Sequence, residues 1–145
     1  MSTGVNILSA GMVTAVGLDR ASACAAMRAG LDGFCETQFV APGGAWLLGA
    51  PVPLPRNWIG EKRLAHLAAG AIVDALQGQG VAQADMSLIL CLAETTRPGQ
   101  VVRNVDRFAA RVLEFSGLSE RTKIQVVSHG RPSGFIALER ARRMF

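Results

Sequence analysis

The chain has 145 residues, half of them apolar and 18% charged, with 16 glycines and 6 prolines. That balance fits one globular domain and excludes disordered, collagenous and low-complexity classes. The net charge of +4 is uneven: residues 1 to 96 hold five Lys/Arg against seven Asp/Glu, and residues 97 to 145 hold ten against four.

A membrane span takes about 18 or more nearly continuous apolar residues. The runs Ile7 to Val16 and Met86 to Ala93 are too short or are broken by Ser and Gly, so a soluble chain with no membrane partner is expected. Cys24, Cys35 and Cys91 form no C-x-x-C pair and leave an odd thiol over, which predicts free cysteines in a reducing compartment. The N-terminal Met1-Ser-Thr-Gly-Val-Asn has no basic n-region, and Gly4 is misplaced for N-myristoylation. A cytoplasmic location follows as an expectation.

Taken in chain order, Val5 to Thr14 reads as a buried strand, with Gly11 and Gly17 marking a glycine-flanked turn. Asp19 suits an N-cap, Ala21 to Ala29 is a helix stretch, and Gly30 stops it. Phe34 to Val40 and Trp46 to Val52 flank Pro42-Gly43-Gly44 and can pair as a hairpin. The prolines at 51, 53 and 55 make a connector. Glu61 to Gln77 carries Leu64, Leu67, Ala68, Ala71, Ile72, Ala75 and Leu76 at helical spacing and ends at Gly78 and Gly80.

Met86 to Ala93 is a continuous apolar run, the pattern of a strand covered on both faces of a parallel sheet. Thr95 to Gly99 is a loop, and Val101 to Phe115 is helical by the spacing of Val102, Val105, Phe108, Ala109, Val112 and Leu113, with Gly117 as its stop. Thr122 to Val127 is a β-branched strand. After the turn at Ser128 to Gly130, Pro132 suits the first position of a last helix through Ile136, Leu138 and Met144. The alternation predicts an α/β fold in a single domain over 1 to 145, with a mostly parallel mixed sheet and helices on both faces.

Sites in such sheets gather at the carboxyl ends of strands, so the turns after Ala93 and Val127 matter most. The second, Ser128-His129-Gly130-Arg131-Pro132-Ser133-Gly134, leads into a helix whose first N–H groups face whatever sits above it. Gly130-Arg-Pro-Ser133-Gly134 misses the G-x-S-x-G elbow by one residue. Ser128 and His129 are strand neighbours that point to opposite faces, which argues against a nucleophile and base pair. Arg131 favours anions, yet neither a P-loop nor a dinucleotide motif is present.

The segments resemble the N-terminal half of a β-ketoacyl synthase of the thiolase superfamily. Ile7-Leu-Ser-Ala-Gly11-Met-Val-Thr-Ala-Val-Gly17 is similar to that family's opening strand and glycine turn. Met27-Arg-Ala-Gly30-Leu-Asp-Gly33 looks like the end of its first helix. Ala68 to Leu76, the Val81 to Asp85 connector and the Met86 to Ala93 strand follow in the family's order, and the resemblance spans nearly the whole chain.

In that family the nucleophile stands in T-A-C-S-S-G-x-x-A-I-x-x-A, and Gly134-Phe-Ile-Ala137-Leu138-Glu-Arg-Ala141 is similar to its second half. Three residues before Gly134, where the resemblance implies a cysteine, stands Arg131. A guanidinium is no nucleophile and is disfavoured by the helix dipole. The catalytic histidines and second half that the family implies would lie beyond Phe145, and His66 and His129 fall in the wrong elements to replace them.

The resemblance therefore implies an incomplete thiolase-like half with no confident catalytic residue and no cofactor, its nucleophile-equivalent turn being His129, Gly130, Arg131, Pro132, Ser133 and Gly134. As an enzyme it would be a 3-oxoacyl-ACP synthase or acyltransferase by resemblance, inactive as this chain. Its expected partners are a second copy, another thiolase-like subunit or an acyl carrier protein. An open sheet edge and an uncovered apolar helix face are expected to drive oligomerisation.

The alternative is the N-terminal part of an acyltransferase completed by a C-terminal half. An unrelated α/β binding module is a third reading. With no Tyr and no aromatic platform between the basic residues, a nucleic-acid partner is not expected. Arg103, Arg107, Arg111, Arg140, Arg142 and Arg143 read as a solvated helix face or as contacts for an acidic carrier. His66 is expected to pack on its helix face beside Leu67, and His129 to orient its turn or touch a ligand. Arg131 is expected to bind an acyl-thioester phosphate or a carboxylate, or to form a salt bridge. Cys91 is expected in the core, and no metal ligands stand at a usable spacing.

Overall fold

The computed structural model describes residues 4–80 and 86–144; the connector expected at Val81 to Asp85, and Phe145, lie outside them. Helix α1 spans Arg20–Arg28, strands β1 and β2 span Cys35–Val40 and Trp46–Gly49, and helix α2 spans Gly60–Leu76. Strand β3 (Ser87–Cys91), helix α3 (Val105–Ser116), strand β4 (Lys123–Val127) and helix α4 (Ser133–Met144) follow.

The helix signals act as their chemistry requires. Asp19 caps α1 by accepting the Ser22 N–H at 2.8 Å, and Asn104 caps α3 by accepting the Arg107 N–H at 2.8 Å. Gly117 ends α3 in the left-handed region, at φ 69°. Helix α3 starts four residues later than its apolar spacing suggests, although Val102 before it is buried in the core. Pro132 lies just outside α4, where its carbonyl accepts the Ile136 N–H at 3.2 Å.

Strands β3 and β4 pair in parallel, in register from Ser87 with Lys123 to Cys91 with Val127. Alternation along each strand sends Leu88, Leu90, Ile124 and Val126 to one face. There they meet Ala65, Ala68 and Ile72 of α2 and Phe108, Ala109 and Val112 of α3, forming the core. Ala65 and Ala69 are small enough to let α3 lie close on α2. Helix α4 packs against the other face, where Gln125 Nε2 donates to Met144 Sδ at 3.7 Å.

Two expectations need correction. The single mixed sheet is instead two separate two-stranded sheets among the described residues, parallel β3-β4 and antiparallel β1-β2. The expected strand Val5 to Thr14 joins neither, and only an isolated bridge between Thr14 and Gly17 forms there. The physical reason is that α2 claims this segment. Gly11 sits so close to α2 that a Cβ would run into the Ala71 carbonyl and come within 2.6 Å of Ala75 N. The Met12 N–H donates to Asp74 Oδ2 at 3.0 Å, and the same oxygen accepts the Arg20 N–H at 2.7 Å.

Candidate functional site

Because β3 and β4 are parallel, their carboxyl ends lie side by side, and the chain leaving β3 supports the turn leaving β4. The Leu92 N–H donates to the Val127 carbonyl at 2.8 Å, and the Leu92 carbonyl accepts the Gly130 N–H at 3.1 Å. That carbonyl also accepts the Ser133 hydroxyl at 3.3 Å, while Ser133 Oγ accepts the His129 N–H at 3.0 Å. Ser133 is 1% exposed. Its proton is committed to a carbonyl and no base is bonded to it, so it pins the turn and has no free proton to give up as a nucleophile.

Gly130 is required twice over. Its φ is 66°, a region that favours glycine, and a Cβ would strike the Glu94 carboxylate. Glu94 therefore brings negative charge to the turn, which opposes the anion cradle considered from sequence. His129, Arg131, Pro132 and Gly134 are exposed. The Arg131 guanidinium has no ion-pair or hydrogen-bond partner among the described residues, so the salt bridge expected of it is not formed there.

The turn does not line the cavity that opens at the end of β3. That cavity, of about 560 Å³, is bounded by Leu90, Leu92, Ala93, Arg97, Gln100 and Phe108 among others. Gln100 Nε2 donates to the Ala93 carbonyl at 3.4 Å and shapes the cavity's rim. The turn after Ala93 was legible as a place for a site, but its lining was not, since it joins α2, β3 and α3. Cys91 also borders it. The residue is exposed, which corrects the core expectation: its odd position turns it away from Leu90. Partial desolvation of its sulfur at the cavity edge still pushes the thiol up, so thiolate is scarce at neutral pH.

His66 occupies an arrangement that sequence spacing did not reveal. Its ring stacks between Trp58, at 3.5 Å between centroids, and Phe115, at 4.0 Å. Its Nε2 is buried without a hydrogen-bond partner. Burial is the main cause holding its pKa below the usual histidine value, with Lys62 and Arg56 adding to the effect and Glu114 opposing it. A neutral, sandwiched imidazole is a packing element rather than a proton shuttle.

The arginines of α3 also have an internal role. Arg111 Nη1 lies 2.8 Å and Arg107 Nε 3.3 Å from Glu61 Oε1, at the start of α2. The carboxylate complements both guanidinium groups and the positive end of the α2 dipole. The expectation of a solvated face or carrier contact therefore does not hold for these two.

Among the described residues, no helix is long and apolar enough to cross a membrane, and no group of three or more His, Cys, Asp or Glu is arranged to hold a metal ion. No family model matches the chain, and neither a curated protein nor a solved structure matches it significantly.

Proposed function

We propose that this chain is a β-ketoacyl-synthase-like N-terminal half that performs no condensation by itself and acts through a partner subunit or an acyl carrier protein. The observation that carries the reading is its surface. The chain exposes 10357 Å², whereas a compact monomer of 15.3 kDa exposes about 7,100 Å², an excess of about 3,200 Å². Ile7, Leu8, Phe34, Trp46, Leu48 and Phe135 are each more than half exposed. Surface in excess of a compact monomer's, with large apolar side chains exposed on it, is what a partner-dependent chain presents.

The inactive part of the reading rests on the turn. Arg131 stands where the resemblance implies a nucleophile, Ser133 is bonded on both sides, and the Cys91 thiol is pushed up. Arg103, Arg121, Lys123 and Arg131 have no anionic partner among the described residues, which suits an acidic carrier. Intact mass after incubation with an acyl thioester tests the reading, with a Cys24→Ser, Cys35→Ser, Cys91→Ser control. No adduct is expected. A stoichiometric adduct that the triple variant lacks would establish a working cysteine and overturn it.

A further inference from the structure

We infer that the cavity between the end of α2 and the starts of β3 and β4 binds a small neutral hydroxyl compound, with an apolar body that fills it and a hydroxyl that pairs with Thr122. The site lies at the opposite end of the parallel strands from the His129 to Gly134 turn. It is independent of the partner-dependent reading above.

The cavity measures about 190 Å³. Its walls are Ile72 and Leu76 from the last turns of α2, Met86 and Leu88 around the start of β3, and Leu118 just after α3. Thr122 completes them at the entrance to β4, where its N–H donates to the Ser119 carbonyl at 2.9 Å. An apolar cavity of about 150 Å³ accepts a benzene ring, so this one has room for a ring carrying one further group.

Thr122 is the polar exception. The residue is only 8% exposed, and its Oγ1 is buried with no hydrogen-bond partner among the described residues. Ser87 also borders the cavity but reaches solvent. Buried polar groups are nearly always paired, and a hydroxyl can both donate and accept. A trapped water takes about two to four polar partners, more than one hydroxyl in an apolar wall supplies. A hydroxyl compound has one donor instead of two, and it buries apolar surface besides.

Charge and length narrow the class. No charged side chain borders the cavity among the described residues. A carboxylate or an ammonium group would be buried there without a counter-ion, at a large desolvation cost. A volume so close to that of a single-ring cavity also excludes a long acyl chain.

Phenol and toluene test the site, because they match in size and differ by a hydroxyl in place of a methyl group. In carbon–proton spectra of the full chain, phenol is expected to shift the methyl signals of Ile72, Leu76, Met86 and Leu118 saturably. Thr122→Val keeps the shape of the side chain and removes the hydroxyl. It is expected to weaken phenol about tenfold, whereas toluene, which lacks the bond, binds both proteins equally. The ligand-free variant is expected to melt no lower than wild type, since its hydroxyl had no bond to lose. Ala75→Leu, which extends a bordering side chain into the cavity, is expected to exclude both probes.

Phenol that shifts none of these methyl groups overturns the inference. So does a Thr122→Val variant that weakens both probes alike, melts well below wild type, or binds phenol as wild type does. A folded Ala75→Leu variant that still takes phenol at these methyl groups counts equally against it. If that variant does not fold, the two probes on Thr122→Val decide alone. Each outcome is separate from the acyl-thioester measurement, which can fail or succeed without touching this cavity.

Discussion

The Ser133 hydroxyl donates to the carbonyl of Leu92, 41 residues earlier in the chain, at 3.3 Å. Through this bond the first turn of α4 is tied to the exit of β3, and the His129 N–H donating to Ser133 Oγ closes the knot. Ser133→Ala removes both bonds and leaves that part-buried N–H without its acceptor, a loss of about 1 kcal/mol. Urea unfolding is expected to show a lower midpoint with an unchanged slope. An unchanged midpoint would mean that water takes over both bonds.

Gly11 makes a sharper demand. Its α-carbon lies against the backbone of α2, so the methyl group of Gly11→Ala meets the Ala71 carbonyl rather than a movable side chain. Overpacking of this kind costs about 1–3 kcal/mol. Gly43→Ala is the control, because a Cβ there meets nothing within 4 Å. Thermal melts of the two variants should diverge; equal melting temperatures would show that the segment before Met12 does not seat on α2.

His66 gives the fold an acid dependence. The folded chain lowers the pKa of the ring, chiefly by burying it, whereas the unfolded chain titrates near 6.5. The unfolded state therefore binds the proton more readily. The stability contributed by His66 is complete above pH about 6.5 and declines as the pH falls below it toward the lowered folded value. Melting temperature measured from pH about 7.5 down to about 5 should fall, and His66→Phe, which keeps a ring between Trp58 and Phe115, should flatten that part of the profile. A variant with the wild-type slope would assign the acid sensitivity elsewhere.

Glu61 joins α2 to α3 through Arg107 and Arg111. Its side chain is 9% exposed while the two guanidinium groups reach solvent at 59% and 37%. Glu61→Gln keeps the shape and removes the charge, and the expected cost is about 1 kcal/mol, shrinking in high salt. Denaturation of wild type and variant at low and high ionic strength measures both. A difference that does not respond to salt would point to packing at this corner instead of charge.

Local sequence determined the helices, the two parallel strands and the hairpin, because periodicity, caps and turn glycines act within a few residues. Asp19 and Gly117 end their helices where the side chain, or the lack of one, suits the end, whereas the cap at Asn104 lies inside the stretch that apolar spacing assigned to α3. The spacing of Phe108, Ala109 and Val112 likewise named core residues before any partner was known.

What a segment packs against was decided only in three dimensions. An apolar run such as Val5 to Thr14 is strand-like in pattern, but Gly11 and Met12 bind it to α2, and the apolar pattern records neither contact. Cys91 reads as core in a hydrophobic string, yet strand alternation turns it away from Leu90. Trp58, His66 and Phe115 stack across 57 residues of chain, and Glu61 meets arginines 46 and 50 residues on. The turn at His129 to Gly134 was visible from its residue types, whereas the role of Ser133 depended on the Leu92 carbonyl that parallel pairing brings beside it. Periodicity tells which face of an element is apolar; only the assembled chain determines what that face meets.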